Sequence, residues 1–261
     1  MMPTPSCAKA LPAVIELRQY TLHPGQRDVL VELFEREFVA PQEALGLRVL
    51  GTWRDLDDAD RFVWMRGFAG LGMRAPALAA FYDGPVWRRH RDAANATMID
   101  SDDVLLLRPL PSPGVASEDW DSARRAPLIT TTLCFLPRLA DEGRIARFER
   151  EIRPLWTRDG ARWIAAFETE PARNDFPRLP VREGIAVLAW MAAYADAAAQ
   201  AAHARGVAAS PAWRAWCADL AQAPQTLRLA PAGGAAAQAA ASPPSTTSSV
   251  PTAYIDSSQA R

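Results

Sequence analysis

The first predicted strand carries three side chains that could act together in a chemical site. Glu16, Arg18 and Tyr20 are spaced two residues apart, and alternate side chains of a strand point to the same face. A carboxylate, a guanidinium and a phenol that point together into a barrel could hold an anionic or enolisable ligand and move a proton. Arg66, on a later predicted strand, could join them. We take these four residues as ligand-binding candidates; the alternative is a charged ladder satisfied across the sheet or between modules.

His90 is the fifth candidate for ligand binding. It lies one turn after Trp87 on a predicted amphipathic helix, among Arg88, Arg89 and Arg91. A histidine there could titrate near neutral pH or ligate haem iron. The alternative is a half-exposed helix flank without a chemical task, with the arginines as a solvated face.

Motifs for nucleotide, metal and serine-hydrolase chemistry are missing from the sequence. The acidic loop from Asp55 to Asp60 lacks the central glycine and distal glutamate of an EF-hand loop, which favours an ordinary hairpin connection. There is no Gly-x-Gly-x-x-Gly, no Gly-Lys-Ser/Thr phosphate loop and no Gly-x-Ser-x-Gly elbow. His23 and His203 have no nearby candidate ligands. We therefore predict no metal site and no cofactor.

Composition argues against nucleic acid and membranes as partners. The 29 Lys and Arg residues are offset by 30 Asp and Glu residues, for a formal net charge of −1, which leaves no basic field. No apolar run approaches the roughly 18 uncharged residues of a membrane span, and the N-terminus lacks the pattern of a signal peptide. Cys7, Cys134 and Cys217 are odd in number and far apart, which favours neither a disulfide framework nor a zinc site. We expect a soluble, cytoplasmic protein.

Blocks of sequence in the middle of the chain occur twice. Phe34–Phe38 returns as Phe148–Ile152, displaced by 114 residues (34 to 148). Trp64–Met65 returns as Trp190–Met191, displaced by 126 residues (64 to 190). Matches that keep one spacing, shift once and keep the next indicate two duplicated modules with one lengthened loop, here Glu170–Glu183.

The repeat also separates scaffold from specialised residues. A large aromatic residue present in both copies, such as Trp64 with Trp190, is expected to be core. A polar residue found in one copy could instead be a specialisation. The counterparts of Glu16, Arg18 and Tyr20 at the 114-residue displacement are Thr130, Thr132 and Cys134.

Hydrophobic periodicity predicts the same order of elements in both modules, namely strand, helix, strand, strand, helix, strand. That order is typical of a ferredoxin-like sheet with helices on a single face. The second helical region of each module is interrupted, near Gly84–Pro85 and Ser210–Pro211. The predicted strands are Val14–Leu22, Leu47–Leu56, Arg61–Phe68, Val104–Arg108, Leu128–Leu136, Arg162–Thr169, Ile185–Ala192 and Thr226–Leu229.

A sheet with helices on one face has a second apolar face to bury, and the other module is the nearest partner for it. We therefore predict that the modules pack as a pseudo-dimer around a barrel-like core, with a cavity between sheet and helices in one or both. The predicted domains are a disordered N-terminus (1–12), module 1 (13–110), a linker (111–126), module 2 (127–230) and a disordered tail (231–261).

Three segments of module 1 resemble the NIPSNAP family: VIELRQYTLHPGQRDVLVELFE, RFVWMRGF and PVWRRHRDAANATM. The resemblance spans Val14–Pro109 closely and Leu128–Leu229 more loosely. It implies an α+β fold in which two tandem ferredoxin-like modules (βαββαβ) form an intrachain dimeric α/β barrel. Relatives of that fold include cofactor-free monooxygenases, haem-degrading enzymes and dehydratases. The family usually carries an aromatic residue two positions after the hairpin-strand tryptophan, where this chain has Arg66 and Ala192.

The leading functional hypothesis is a NIPSNAP-like protein that binds a small organic ligand or a protein partner through module 1. The alternative is a cofactor-independent monooxygenase or isomerase, with Glu16 as proton acceptor and Arg18 or Arg66 stabilising a developing oxyanion. A pure adaptor is the third hypothesis. A small-molecule site requires a closed pocket that contains Glu16 and Arg18, whereas an adaptor requires a large exposed apolar patch. Self-association into a homo-oligomer is compatible with each.

Overall fold

The computed structural model describes residues 10–110 and 120–233. Module 1 consists of β1 Val14–Leu22, α1 Arg27–Leu33, a π-helical turn Phe34–Phe38, α2 Val39–Ala44, β2 Arg48–Asp55, β3 Arg61–Phe68, α3 Leu71–Tyr82, α4 Pro85–Asn95 and β4 Met98–Pro109. A short helix, α5 Trp120–Ala123, follows. Module 2 consists of β5 Leu128–Leu136, α6 Glu142–Arg147, a π-helical turn Phe148–Ile152, a 3₁₀ turn Arg153–Trp156, β6 Arg162–Thr169, β7 Ala186–Tyr194, α7 Ala197–Ala209, α8 Pro211–Ala218 and β8 Gln225–Pro231.

The predicted element order is confirmed in both modules, and three strands, β4, β7 and β8, are longer than predicted, β4 by the most. β4 begins at Met98, whereas the apolar pattern predicted a start at Val104. The added segment pairs with β1, for example Leu22 with Met98 and Gln19 with Asp103. Because most of its side chains are polar and several are exposed, hydrophobicity alone does not identify it as a strand.

Two backbone irregularities occur at the same place in each module. The first helical segment contains a π-helical turn, at Phe34–Phe38 and again at Phe148–Ile152. The second strand contains a β-bulge against the third, between Val49 and Gly51 and again between Trp163 and Ala165. A π-turn often marks a functional site, but one that is present in both modules belongs to the shared scaffold.

The eight strands form one closed barrel in the order β1-β3-β2-β8-β5-β7-β6-β4. Each module supplies a four-stranded antiparallel sheet, and the sheets join at their edges. β2 pairs with β8, for example Arg54 with Ala230, and β4 pairs with β6, for example Arg108 with Glu168. The predicted fold class is confirmed, and edge-to-edge hydrogen bonding removes the unpaired strand edges that would otherwise invite association.

The inside of the barrel is an apolar core built by both modules, with residues such as Ile15 and Leu17 from β1 and Ile129 and Leu133 from β5. The helices pack against the outer faces of the two sheets, where each module has a second core. Burying one sheet face against the other module and the opposite face against helices satisfies the packing requirement of both layers.

The residues predicted as a linker are described from Trp120 onward, and this part packs against the barrel core. Trp120 is buried, and its indole Nε1 donates to the backbone oxygen of Leu50 (2.9 Å). Ala123 and Ala126 are also buried in the barrel core. The other predicted disordered or linking segments lie largely outside the described residues, at 1–9, 111–119 and 234–261.

The bulge in β2 provides a test of packing at the closed barrel. A Cβ atom added at Gly51 would overlap the indole of Trp53, which is fully buried. We expect Gly51→Ala to lower the free energy of unfolding by about 1–3 kcal/mol through overpacking, measured by urea denaturation. Module 2 has Ala165 at the equivalent position, so Ala165→Gly is the matched control, with an expected loss of about 1 kcal/mol. An unchanged or increased free energy of unfolding for Gly51→Ala would contradict the overlap with Trp53.

Candidate functional site

Glu16 lies at the centre of a buried ion cluster between the sheet and the helices of module 1. Three arginines surround it: Arg18 from the same strand, Arg66 from β3 and Arg74 from α3. Glu16 and Arg66 are direct partners in the antiparallel pairing of β1 with β3, which brings their side chains together on one face. All four side chains are at most 1% exposed. We call these four residues the Glu16 cluster.

Both carboxylate oxygens of Glu16 accept from guanidinium groups. Arg18 Nη1 and Arg66 Nε each lie 2.7 Å from Glu16 Oε2. Arg74 Nε donates to Oε1 at 2.8 Å, and Arg74 Nη2 lies 2.7 Å from the same atom. Each arginine therefore donates one charge-assisted hydrogen bond to the carboxylate, the strongest class of protein hydrogen bond, whereas Arg74 Nη2 is close to Oε1 but has no hydrogen-bond partner among the described residues.

The electrostatics of the cluster keep Glu16 ionised. Burial by itself raises the pKa of its carboxyl group, but the charges of Arg66, Arg18 and Arg74 outweigh this, so the pKa lies well below the ordinary value of 4.5. Burial by itself lowers the pKa of the Arg66 guanidinium, but the combined interactions with Glu16, Tyr82 and Tyr20 outweigh it, so the pKa is raised. The cluster thus holds three guanidinium charges against one carboxylate in the protein interior.

The polar environment of the cluster extends to two phenols and an amide. Arg18 Nε donates to the hydroxyl oxygen of Tyr20 (3.0 Å). Arg66 Nη1 donates to the side-chain oxygen of Gln42 (3.2 Å) and to the hydroxyl oxygen of Tyr82 (3.3 Å). Burial raises the pKa of Tyr20, so its hydroxyl is neutral at neutral pH. Among the described residues, the second terminal nitrogen of Arg66, Nη2, has no hydrogen-bond partner.

An aromatic pocket of about 30 Å³ lies next to the cluster, between the sheet and helices of module 1. Tyr20, Gln42 and Tyr82 line it, so the groups that contact the arginines also form its polar wall. Glu16, Arg18 and Arg66 do not line this pocket themselves, and the two arginines reach its wall through their contacts with Tyr20, Gln42 and Tyr82. Glu16, Arg18 and Tyr20 point to the helix-covered face of the sheet, because the inward-facing positions of β1 are Ile15 and Leu17. The apolar wall consists of Leu30, Phe34, Phe38, Trp64, Phe81, Trp87, Ala94 and Met98.

The corresponding region of module 2 contains no such ion cluster. Cys134, in the place of Tyr20, is a buried thiol whose pKa is raised to about 12 by burial. It accepts a hydrogen bond from the indole of Trp216 (3.5 Å). Module 2 therefore builds the same fold on neutral groups. In order, the module 2 counterparts of Glu16, Arg18, Gln42, Arg66 and Arg74 are Thr130, Thr132, Trp156, Ala192 and Gln200.

Of the five candidates predicted from sequence, the structure brings four together and leaves one apart. Glu16, Arg18, Tyr20 and Arg66 form one contact network. His90 lies elsewhere, with its Nε2 atom 3.4 Å from a carboxylate oxygen of Glu37 at the protein surface.

Sequence reasoning missed Arg74, Gln42, Tyr82 and Asp175. Arg74 carried a signal, because it is the single charged residue of the apolar helix α3. Gln42 and Tyr82 carried no signal of their own. Asp175 lies on the inserted loop of module 2 and forms an ion pair with Arg74 of module 1. Only the packing of the two modules reveals that contact.

Within residues 10–110 and 120–233, no group of three or more His, Cys, Asp or Glu side chains could hold a metal ion. In the same part of the chain, no helix has the length and apolar character that crossing a bilayer requires.

Residues 15–113 match the NIPSNAP family model. The matched segment is module 1, which contains the complete Glu16 cluster, and the resemblance inferred from sequence is confirmed there. No protein of the curated set matches the chain. We refer to module 1 below as the NIPSNAP module.

Solved structures of similar proteins include an uncharacterised NIPSNAP-like domain protein from Burkholderia xenovorans, with 26% identity and a TM-score of 0.35 over 38% of this chain and 88% of that one. A second NIPSNAP domain protein from the same organism has 16% identity and a TM-score of 0.35, over 38% and 95% of the two chains. A protein from Fusobacterium nucleatum, provisionally named a monooxygenase, has 9% identity and a TM-score of 0.51, over 86% and 94%. This last likeness spans both modules and concerns the fold.

The buried carboxylate allows a stability test. Glu16→Gln leaves the buried guanidinium groups of Arg18 and Arg66 without their carboxylate partner, and among the described residues leaves Arg74 with the carboxylate of Asp175 alone. We expect it to lower the free energy of unfolding by about 3–5 kcal/mol. The control is Glu37→Gln, which removes a carboxylate paired with Arg36 near the surface and should cost at most about 1 kcal/mol. Chemical denaturation at neutral pH measures both. A loss for Glu16→Gln as small as that of the control would contradict the central position of the carboxylate.

The depressed pKa of Glu16 also predicts a pH dependence. The group stays ionised in the folded protein but takes up a proton near pH 4.5 when unfolded, so its contribution to stability is present above that pH and declines as the pH falls below it. We expect the Glu16→Gln variant to lose less stability than the wild type between about pH 4.5 and pH 3. Denaturation midpoints across this range provide the measurement. Parallel pH profiles for the two proteins would show that Glu16 titrates normally in the folded state.

Proposed function

We propose that the NIPSNAP module binds a small planar organic acid, with the ring in the aromatic pocket and an anionic oxygen directed at Arg66. The observation that carries the proposal is the buried Nη2 group of Arg66, a charged donor that has no partner among the described residues. Its neighbouring nitrogen already donates to Tyr82 and Gln42, which line the pocket. A ligand oxygen placed there would supply the missing acceptor.

The charge balance of the cluster favours an anion over a neutral ligand. Three guanidinium groups face the buried Glu16 carboxylate and, at Arg74, the partly exposed carboxylate of Asp175, which still leaves net positive charge in the interior. Unpaired charge is costly there. The neutral counterparts in module 2 support the view that the scaffold folds without this arrangement. Replacing buried ion pairs by packed neutral groups is often neutral or stabilising, so stability alone gives no reason for the cluster.

The pocket chemistry favours a flat ligand. Aromatic walls from Phe34, Phe38, Trp64 and Trp87 provide faces and edges for a planar ring. Tyr20 accepts from Arg18, which leaves its hydroxyl proton available to a ligand oxygen. The pocket measures about 30 Å³, far below the roughly 300–1,000 Å³ of sites for drug-sized ligands, so the proposal requires that it widens when a ligand binds. Tyr82 and Trp87, which are partly exposed, form the side through which the pocket can widen.

The enzyme hypothesis with Glu16 as proton acceptor is not supported. A carboxylate whose pKa is held well below its ordinary value remains unprotonated, and its oxygens are already occupied by three arginines. A general base works best with a pKa near the operating pH. The Glu16 cluster is therefore suited to holding arginine side chains in position to contact a ligand.

The adaptor hypothesis predicts an exposed apolar patch on the described surface. Each of the large apolar residues that are exposed comes from a different segment of the chain. A docking surface for a protein partner requires a contiguous apolar patch of several hundred Å². These residues are Val29, Leu45, Leu56, Met73, Ile99 and Leu139.

The proposal predicts selective binding of anionic aromatic compounds. In isothermal titration calorimetry with benzoate, salicylate and related enolic acids, at least one acid should bind at least about ten-fold more tightly than its neutral amide, a difference of about 1.4 kcal/mol. Arg66→Gln should weaken that binding by about ten-fold or more. Tyr82→Phe, which keeps the ring, should weaken it by a smaller factor.

The matched control is Arg153→Gln in module 2, where the guanidinium is paired with Glu149 and lies over the ring of Trp163. It should leave affinity unchanged. Circular dichroism confirms that each variant is folded before titration. Equal affinity for acid and amide, or no binding of any acid up to about 10 mM, would overturn the proposal.

A further inference from the structure

The inserted loop of module 2, residues 170–183, reaches across to the NIPSNAP module. Its two ends are held to β4 by backbone hydrogen bonds, from Glu170 N to Leu106 O (2.9 Å) and from Arg182 N to Val104 O (2.8 Å). Between these ends the loop contacts module 1 through side chains. It is the segment that makes module 2 longer than module 1 between its paired strands, and it lies against the Glu16 cluster of the other module.

The middle of the loop places the carboxylate of Asp175 against Arg74 and the ring of Phe176 against Tyr82. Asp175 forms an ion pair with Arg74, and Asn174 Oδ1 accepts from Arg74 Nη1 at 2.9 Å. Phe176 stacks on Tyr82, with ring centroids 6.4 Å apart and an interplanar angle of 28°. Tyr82 lines the aromatic pocket, so one loop contacts both the cluster and the pocket wall.

We propose that Asp175 is a built-in competitor for the ligand carboxylate, and that the loop must lift for a carboxylate to reach Arg74. This inference rests on the proposed function of the NIPSNAP module and adds the ligand class, a monocarboxylate. In the closed state Asp175 occupies Arg74 Nη1. In the open state the second oxygen of the ligand carboxylate takes that place, while its first oxygen faces Arg66. Phe176 likewise takes a ring position beside Tyr82.

The contacts of the Arg74 guanidinium support this inference, because its nitrogens face two different sets of partners. Nε and Nη2 face Glu16, which belongs to the same module and is fully buried. Nη1 faces Asn174 and Asp175 of the loop, and the Asp175 side chain is 26% exposed. Loop opening therefore releases one face of Arg74 toward solvent and leaves the inner face paired with Glu16.

Charge balance selects a monoanion. Exchange of the Asp175 carboxylate for the carboxylate of a ligand leaves the charge around Arg74 unchanged. A neutral compound would leave Arg74 with a smaller counter-charge than it has in the closed state, and a dianion would bring an additional charge into a buried site. Loss of the counter-charge of a buried ion is unfavourable, so an equal exchange is preferred.

The loop is constructed so that it can move as a unit. Internal hydrogen bonds hold its shape, from Asn174 N to Glu183 Oε1 (2.8 Å) and from Leu179 N to Phe176 O (3.0 Å). Its contacts with module 1 between the anchored ends are side-chain contacts, such as Arg178 with Asp83 (2.8 Å). Lifting the middle breaks these contacts and takes Phe176 and Leu179 out of the apolar cluster that contains Leu78, while the strand pairing of the barrel stays intact.

The test compares Asp175→Asn with wild type in titrations with benzoate. If most molecules have the loop closed, the apparent affinity for benzoate is the affinity of the open form multiplied by the fraction of molecules that are open. A variant that raises the open fraction about ten-fold should therefore bind benzoate about ten-fold more tightly. Asp57→Asn, which removes a surface carboxylate paired with Arg228, is the matched control and should leave affinity unchanged. Hydrogen exchange of the loop amides is recorded with and without benzoate.

The expected results are tighter binding to Asp175→Asn, and faster exchange at Asn174 and Leu179 when benzoate is bound to the wild type. Benzoate binding of equal strength in wild type and Asp175→Asn, or slower loop exchange on binding, would overturn the competitor role and leave the proposed function standing. Binding by Asp175→Asn alone supports both. If neither protein binds benzoate or any of the other acids up to about 10 mM, both proposals are overturned.

Discussion

A fully buried carboxylate must be matched by positive charge, and the interior of module 1 is organised around that requirement at Glu16. Desolvation alone would protonate the group, so the three arginines are needed to keep it charged. They come from β1, β3 and α3, which means that strand register and helix packing must both be correct for the carboxylate to be paired. The remaining donors of these arginines then determine which polar groups, Gln42 and Tyr82 among them, line the adjacent pocket.

The comparison of the two modules shows which features belong to the fold. The π-helical turn, the β-bulge and the tryptophans of β3 and β7 occur in both, so they serve the scaffold. The ion cluster occurs in one, and its counterpart is built from threonines, an alanine and a glutamine. Since the same strand pairing and helix packing form with either set, the charges of module 1 are not required by the architecture.

Closing the barrel within one chain allows the two halves to take unequal roles. In a barrel made by two identical chains, each half would carry the same site and the same loop. Here module 1 holds the Glu16 cluster, and the described part of module 2 supplies the loop with Asp175 and Phe176 that covers it. The dozen or so residues that distinguish the loop of module 2 are therefore placed where they affect the site of the other module.

The sequence by itself determined the local elements and the division into modules. The strands Val14–Leu22, Arg61–Phe68, Leu128–Leu136 and Arg162–Thr169 have the predicted bounds, because their alternating or continuous apolar pattern ends at clear turn residues. The spacing of Glu16, Arg18 and Tyr20 was sufficient to place them on one face. Their chemical contrast with module 2 was sufficient to single them out.

Only the tertiary structure decided whether Glu16, Arg18 and Tyr20 face the barrel interior or the helices, and which other residues join the site. β1 is apolar on its inner face and charged on its outer face, but both faces are buried, so the pattern could not say which one lies inside the barrel. Arg74 and Asp175 are separated by about a hundred residues, and their contact depends on how module 2 packs against module 1. Contacts between distant segments depend on how the sheets and helices pack together, and the local periodicity of the sequence does not specify that packing.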